Sequence, residues 1–170
     1  MSTYGISGST PFSDLSKTLE ALLRDLLFAQ WSLSSPAKDT DPEKAAANKV
    51  RFGLGWGGTG VRNNFEIHCL HLSTLKEVAA NGWKLHEFKT VVDVHVFARR
   101  TTTTEPDHLR KMLQEIDRIV TQNRLALGQG VKPITLLAWQ NADDPDDTAS
   151  ASYYHRAGQV ECWYWKTDTS

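Results

Sequence analysis

Two short segments hold the side chains best suited to chemistry. "NFEIHCLHL", residues 64 to 72, contains Glu66-x-His68, and "VVDVHVFARR", residues 91 to 100, contains Asp93-x-His95. Residues two apart on a strand share a face, so each motif sets a carboxylate beside an imidazole. If the two strands pair in register, two carboxylates and two imidazoles converge. That donor set suits zinc, iron or manganese, and it would make the protein a small metal-dependent hydrolase using Glu66, His68, Asp93 and His95. The same spacing has a plainer meaning. Polar residues at every second position are what the outer face of an antiparallel sheet requires, and opposite charges across strands stabilise it modestly. No HExxH or HxE with a following PCxxC strengthens the metal reading. The expectation is therefore that Asp93 and His95 lie on a polar sheet face, touch solvent or a neighbouring subunit, and are neither catalytic nor metal-binding.

Other segments rich in reactive or special residues point to loops. "GLGWGGTG" has five glycines in eight residues but no GxxxxGK[ST] and no strand-and-helix frame to aim backbone N–H groups at a phosphate. Asp143, Asp144, Asp146 and Asp147 match a calcium loop in composition only, because the Gly and closing Glu of an EF-hand are missing, so they read as a solvated loop. Cys69 and Cys162 have no CxxC spacing and sit in apolar, strand-like surroundings, as buried reduced thiols do. There is no GxSxG elbow and no Rossmann GxGxxG. No cofactor is called for, and the chain is read as a non-enzyme.

The elements that position these residues follow from hydrophobic period. "DLSKTLEALLRDLLFAQW" carries Leu15, Leu19, Leu22, Leu23, Leu26 and Leu27 at helical spacing. A second helix begins near Pro106 and Asp107, with Leu109, Met112, Leu113, Ile116, Ile119 and Val120 as its apolar stripe. Between Ser32 and Asn64 the period is lost, which predicts a long loop or insertion at about 32–63. "STLKEVAANGWK" reads as a short helix or turn closed near Asn81-Gly82. "ITLLAWQN" and "YYHRAGQVECWYWKTD" supply two later strands. The order predicts a single α+β domain over residues 1–170: a small mixed, largely antiparallel sheet with two main helices packed on one face. In "VECWYWK" aromatic bulk falls on both faces of one strand, which points to a second covering surface from a partner subunit.

Nineteen basic and twenty acidic residues give a net charge of -1, which removes any global reason to expect nucleic acid or an anionic membrane as the main partner. No apolar run reaches the ~18 residues of a membrane span, and no export signal is evident, so a soluble protein is expected.

Taken together, the leading amphipathic helix, the glycine-containing excursion, "VVDVHVFARRTTTTEPDHLRKMLQEIDRIVTQNR", "ITLLAWQN" and "YYHRAGQVECWYWKT" resemble the tail terminator (tail completion) proteins of long-tailed bacteriophages and related archaeal viruses, the minor tail protein U type. The resemblance covers residues 90 to 166 and the N-terminal helix. It implies a structural virion protein of the tail and neck, assembled in the host cytoplasm. Such a protein forms a homo-oligomer, a hexameric ring, at the head-proximal end of the tail tube. The ring stops tube polymerisation and meets the tail tube protein on one side and a head-completion or neck protein on the other, with DNA only as passing cargo. Under this reading Trp163, Tyr164, Trp165, Asp93, His95 and Arg99 are candidates for the subunit or tube interface. Glu66, Asp143, Asp144, Asp146 and Asp147 are candidates for the lumen or a loop beside it, where few basic groups would hold back passing phosphates.

Overall fold

The structure, a computed structural model, describes residues 12–55, 63–80, 85–100, 105–124, 134–143 and 153–167. Side chains are described at 19–55, 63–70, 89–100, 107–124, 134–143 and 153–162. The order is α1 (Phe12–Gln30), β1 (Val50–Leu54), β2 (Phe65–Ala80), β3 (Leu85–Arg99), α2 (Glu105–Gln122), β4 (Thr135–Leu136), β5 (Gln140–Asn141) and β6 (Tyr153–Thr167). The strands form one sheet in the order β1-β2-β3-β6-β4, with β5 also on β6. Only β1 is parallel to its neighbour, β2; the other pairs are antiparallel. This is the expected α+β layout, with both helices on one face.

The leucine stripe of α1 and the Leu109-Met112-Ile116-Ile119-Val120 stripe of α2 meet that face. Leu19, Leu23, Leu26, Leu27, Met112, Ile116 and Ile119 are fully buried, against Val50, Phe52, Ile67, Cys69, Val92, Val94, Val96, Val160 and Cys162. Each such side chain contributes about 1.5–3 kcal/mol through burial. Cys69 and Cys162 are both buried and free.

Three expectations need correction. The stretch at 32–63 is not all loop, because "VRFGL" forms β1, whose Phe52 packs edge-on against Trp31 and Phe28 at 5.4 and 5.5 Å. "STLKEVAA" is strand, not helix, since β2 continues along β3 as far as Ala80↔His86, with register shifts after His71, Leu75 and Glu77. "ITLLAWQN" is not one strand but the two short ones, β4 and β5, which pair with β6 at Val160–Glu161 and Arg156–Ala157.

The end of α1 is tied down from a distance. It has no basic residue in its last turn. Lys38 Nζ instead donates to the carbonyls of Phe28 and Ala29 at 2.7 and 3.0 Å, and Arg118 of α2 donates to that of Gln30 at 2.8 Å. These cations satisfy carbonyls that no helical N–H reaches, at the negative end of the helix dipole. Glu115, 5 % exposed, completes the clasp by accepting from the Ser32 N–H, the Ser32 hydroxyl and Arg118, each at 2.7 Å. Its carboxyl is held down to about 2, chiefly by the Arg118 hydrogen bond against the opposing effect of burial, with Ser32 adding to it.

Candidate functional site

The face of the sheet away from the helices brings the two acid-x-His motifs together. In the β2–β3 register His68 stands opposite His95, Glu66 opposite Phe97 and Leu70 opposite Asp93. In the β3–β6 register Asp93 faces Gln159, His95 faces Ala157 and Phe97 faces His155. Alternation therefore places Glu66, His68, Asp93, His95, Phe97 and His155 on one side, as their spacing predicts.

Their burial is the surprise. Glu66 is 1 % exposed, His68 4 %, His95 7 % and Asp93 8 %. The polar face expected to touch solvent is buried within a single chain, which corrects the reading of Asp93 and His95 as surface residues and of Glu66 as lumen-lining. Part of the reason lies within the cluster, where the groups cover one another. Phe97 stacks on His155 at 4.1 Å between ring centres and meets His68 edge-on at 5.9 Å.

Two polar contacts organise the site. Glu66 Oε2 lies 2.8 Å from His68 Nε2, and its other oxygen accepts the Asn63 N–H at 2.8 Å with Arg51 Nη1 3.6 Å away. Burial alone would push the Glu66 carboxyl up. The hydrogen bonds from His68 and Asn63, with the charges of His68 and Arg51, outweigh it and hold the group below the usual range. The second contact joins His95 Nδ1 to His155 Nε2 at 2.8 Å, linking β3 to β6. Burial, followed by the neighbouring His155 and His68, lowers His95 to about 4, so this ring is neutral at pH 7.

Asp93 does not complete a couple with His95. The nearest approach is 3.7 Å, beyond hydrogen-bond range, and burial raises the Asp93 carboxyl despite a hydrogen bond with Gln159. Asp93 Oδ1 and His68 Nδ1 are buried with no hydrogen-bond partner among the described residues. The His68 ring lies over β1 at Gly53, where a Cβ would fall 2.7 Å from Nδ1. Only a glycine at that position leaves room for the imidazole.

Each of the two close pairs is spaced to share one proton. Among the described residues no three His, Cys, Asp or Glu side chains are grouped as ligands for one ion. Glu66 engages His68 and His95 engages His155, so three of the four residues proposed as a donor set are divided between two contacts and Asp93 belongs to neither.

The other sequence-derived candidates are scattered. Arg99 is exposed and donates to Asn64 Oδ1 at 3.3 Å. Asp143 ties the sheet end together: it accepts the His155 N–H at 2.6 Å and lies 3.3 Å from Arg100 and 3.2 Å from Arg156. Asp144, Asp146 and Asp147 fall outside the described residues. Trp163, Tyr164 and Trp165 continue β6 opposite Lys89, Phe88 and Glu87, and their side chains fall outside the described ones. Sequence reasoning missed Gly53, Phe97 and His155. His155 was legible only as the residue after two tyrosines at a strand start, and its role depends on a partner 60 positions away. Burial pushes the Cys162 thiol up to about 12 and raises that of Cys69 as well, which keeps both protonated at neutral pH.

No protein-family model matches this chain, and no curated protein matches it significantly.

Proposed function

We propose that the chain is a structural virion protein resembling a tail terminator, one that forms a ring at the head-proximal end of the tail tube, stops its polymerisation and joins the tail to the neck. The observation that carries this reading is the mismatch between the two layers. β2, β3 and β6 have 16, 15 and 15 residues, a length of about 50 Å at strand rise. The helices have 19 and 18 residues, about 28 Å at helical rise. Burial reaches Thr90 on β3 and its partner Cys162 on β6, and the backbones of the three strands continue past that point to Leu85, Ala80 and Thr167. In this reading the far part of the three-stranded ribbon is the docking element. It also includes the backbone of the aromatic segment 163–165.

An assembly part of this design works without catalytic residues. It requires two unlike side surfaces that repeat around an axis and close. Near-neutral charge accords with a channel through which DNA passes without being gripped. Arg99 and the 163–165 segment remain interface candidates. Asp93, His95 and Glu66, being buried, act through the shape of the sheet.

The test is mass by light scattering, with metal content on the same sample, for the protein alone and mixed with the tail-tube protein of its own genome. The expected result is a metal-free ring-sized species, alone or on tube addition, and tubes whose growth halts. A steady monomer that leaves tube growth unchanged would overturn the proposal. A stoichiometric transition metal on that monomer would favour the hydrolase.

A further inference from the structure

The two ends of the sheet differ in charge. In strand order β1 closes one end, and the short β4 and β5 close the other. One row of residues crosses from end to end: Phe52 of β1 stands opposite Ile67, Ile67 opposite Val96, Val96 opposite Arg156, and Arg156 opposite Asn141 of β5. What lies outside Phe52 and what lies at Arg156 and Asn141 are therefore level along the strands. We propose that these two ends are the matching faces of a head-to-tail contact between copies of this chain, the acidic strap outside β1 of one copy seating on the arginine-bearing β5 end of the next.

The strap, residues 37–46, is fixed to β1 by the Val50 N–H on the Ala37 carbonyl at 3.0 Å and the Phe52 N–H on the Pro42 carbonyl at 2.7 Å. Its tip carries Asp41 and Glu43, both exposed. Asp41 accepts the N–H groups of Glu43 and Lys44 at 2.8 and 3.0 Å, and Asp39 accepts those of Ala46 and Thr40 at 2.9 and 2.8 Å. These backbone hydrogen bonds hold both carboxyls below the usual range, so they stay charged. Arg24 reaches Glu43 at 2.9 Å but is shared with Asp25. Lys38 is turned to the carbonyls at the end of α1. Lys44 offsets part of the charge at the tip, and Lys49 does so near Asp39. The exposed tip, Asp41 to Lys44, keeps a net negative charge.

At the other end Gln140 and Asn141 of β5 are exposed. Arg156 and Arg100 both reach Asp143, at 3.2 and 3.3 Å, and that single carboxylate also accepts the His155 N–H at 2.6 Å. Arg100 lies over the Tyr154 ring at 4.5 Å, and Arg99 next to it is exposed. Two guanidiniums on one carboxylate, with Arg99 in addition, leave this end cationic. Opposite ends attract and like ends repel, so the charges select a repeating contact over a two-fold one. An exposed outermost strand also accepts a neighbouring backbone readily. Unlike faces on opposite sides of one subunit are what a closed ring needs. The inference rests on the ring reading above and names the surfaces that the ring joins.

The experiment places one thiol at each end, Glu43→Cys in one variant and Gln140→Cys in another, and treats them with a short bismaleimide under the conditions of the light-scattering test, with and without tube protein. The native Cys69 and Cys162 are buried. A head-to-tail contact predicts that neither variant links to itself, that the mixture links in pairs, and that the double variant links into multimers. Self-linking of either single variant would overturn the inference, because like ends would then meet. A ring-sized species that gives no link between the two positions would overturn it while leaving the ring reading intact, whereas a steady monomer under both conditions would overturn both. Charge gives a second measure that keeps the hydrogen bonds of the strap: Asp41→Asn with Glu43→Gln should weaken assembly about tenfold at low salt, and less at high salt. Lys44→Glu should strengthen it. Assembly that ignores all three substitutions would count against the proposal.

Discussion

The protein buries two polar clusters and treats them differently. At the seam between α1 and α2, Glu115 meets a donor on every side, and the cations Lys38 and Arg118 stand at helix carbonyls. On the far face of the sheet, the Glu66–His68 pair sits as deeply and the His95–His155 pair is partly buried, but His68 Nδ1 and Asp93 Oδ1 go without hydrogen bonds among the described residues. A satisfied cluster fixes geometry, while a partly satisfied one makes stability depend on where protons sit. The first region should hold until strongly acidic pH, while the second responds to protons at milder pH.

Removing the clasp should give the largest effect. Glu115→Ala leaves the Ser32 N–H and Arg118 without their acceptor, and should lower unfolding free energy at pH 7 by about 3 kcal/mol in urea denaturation. Because the Glu115 carboxyl is depressed, to about 2, its contribution is complete above pH 4.5 and disappears as pH falls toward 2. The gap between wild type and variant should therefore close over that interval. His95 acts in a higher window, between 6.5 and about 4, so the two clusters can be separated by pH alone. A gap that persists at pH 2 would mean that Glu115 acts by packing rather than by charge.

Next comes the crowding beneath His68. Gly53→Ala drives a Cβ to within 2.7 Å of a buried ring, which should cost about 2 kcal/mol. In a His68→Ala background the same substitution should cost less than about 0.5 kcal/mol, since the two effects share one cause. Equal costs in both backgrounds would place the strain elsewhere. Lys38→Met should cost about 1 kcal/mol by uncovering the carbonyls at the end of α1, and added salt should weaken the effect. The smallest change is expected at the exposed Asp107, paired with Arg110 and Lys111 on α2, where Asp107→Asn should leave the urea midpoint essentially unchanged. A larger loss there would mean that surface pairs matter as much as the clasp.

How much of this was legible in the sequence differs by range of interaction. Both helices could be read because Leu19-Leu23-Leu26-Leu27 and Leu109-Met112-Ile116-Ile119 repeat with the helical period, a local property. The Glu66-His68 and Asp93-His95 faces were legible from alternation, and so was the prospect that they meet. Whether that face is wet or dry was not, because burial depends on which strands pair: His155 comes from β6 and Gly53 from β1, and Phe97 of β3 reaches rings on both neighbouring strands. β1 was hidden by its five-residue length between a proline-bearing segment and a glycine run. β2 was cut short because Leu75, Val78 and Ala79 mimic a helical stripe. Asn81-Gly82, between strands that stop at Ala80 and resume at Leu85, is the dipeptide favoured in hairpin turns.

The strand order has a consequence for how the protein is made. β6, the last of the described strands in chain order, belongs in the interior of the sheet between β3 and the short β4 and β5. Its pairing with β3 spans Leu85↔Thr167, so the sheet cannot be completed until synthesis has passed that point. At ~5–20 residues per second the nascent chain spends several seconds with a long edge of β3 uncovered. An open, largely apolar edge recruits any strand that is near. Yield in a cell should therefore depend on translation speed and on chaperones that shield the unfinished sheet, more than on the stability of the finished one.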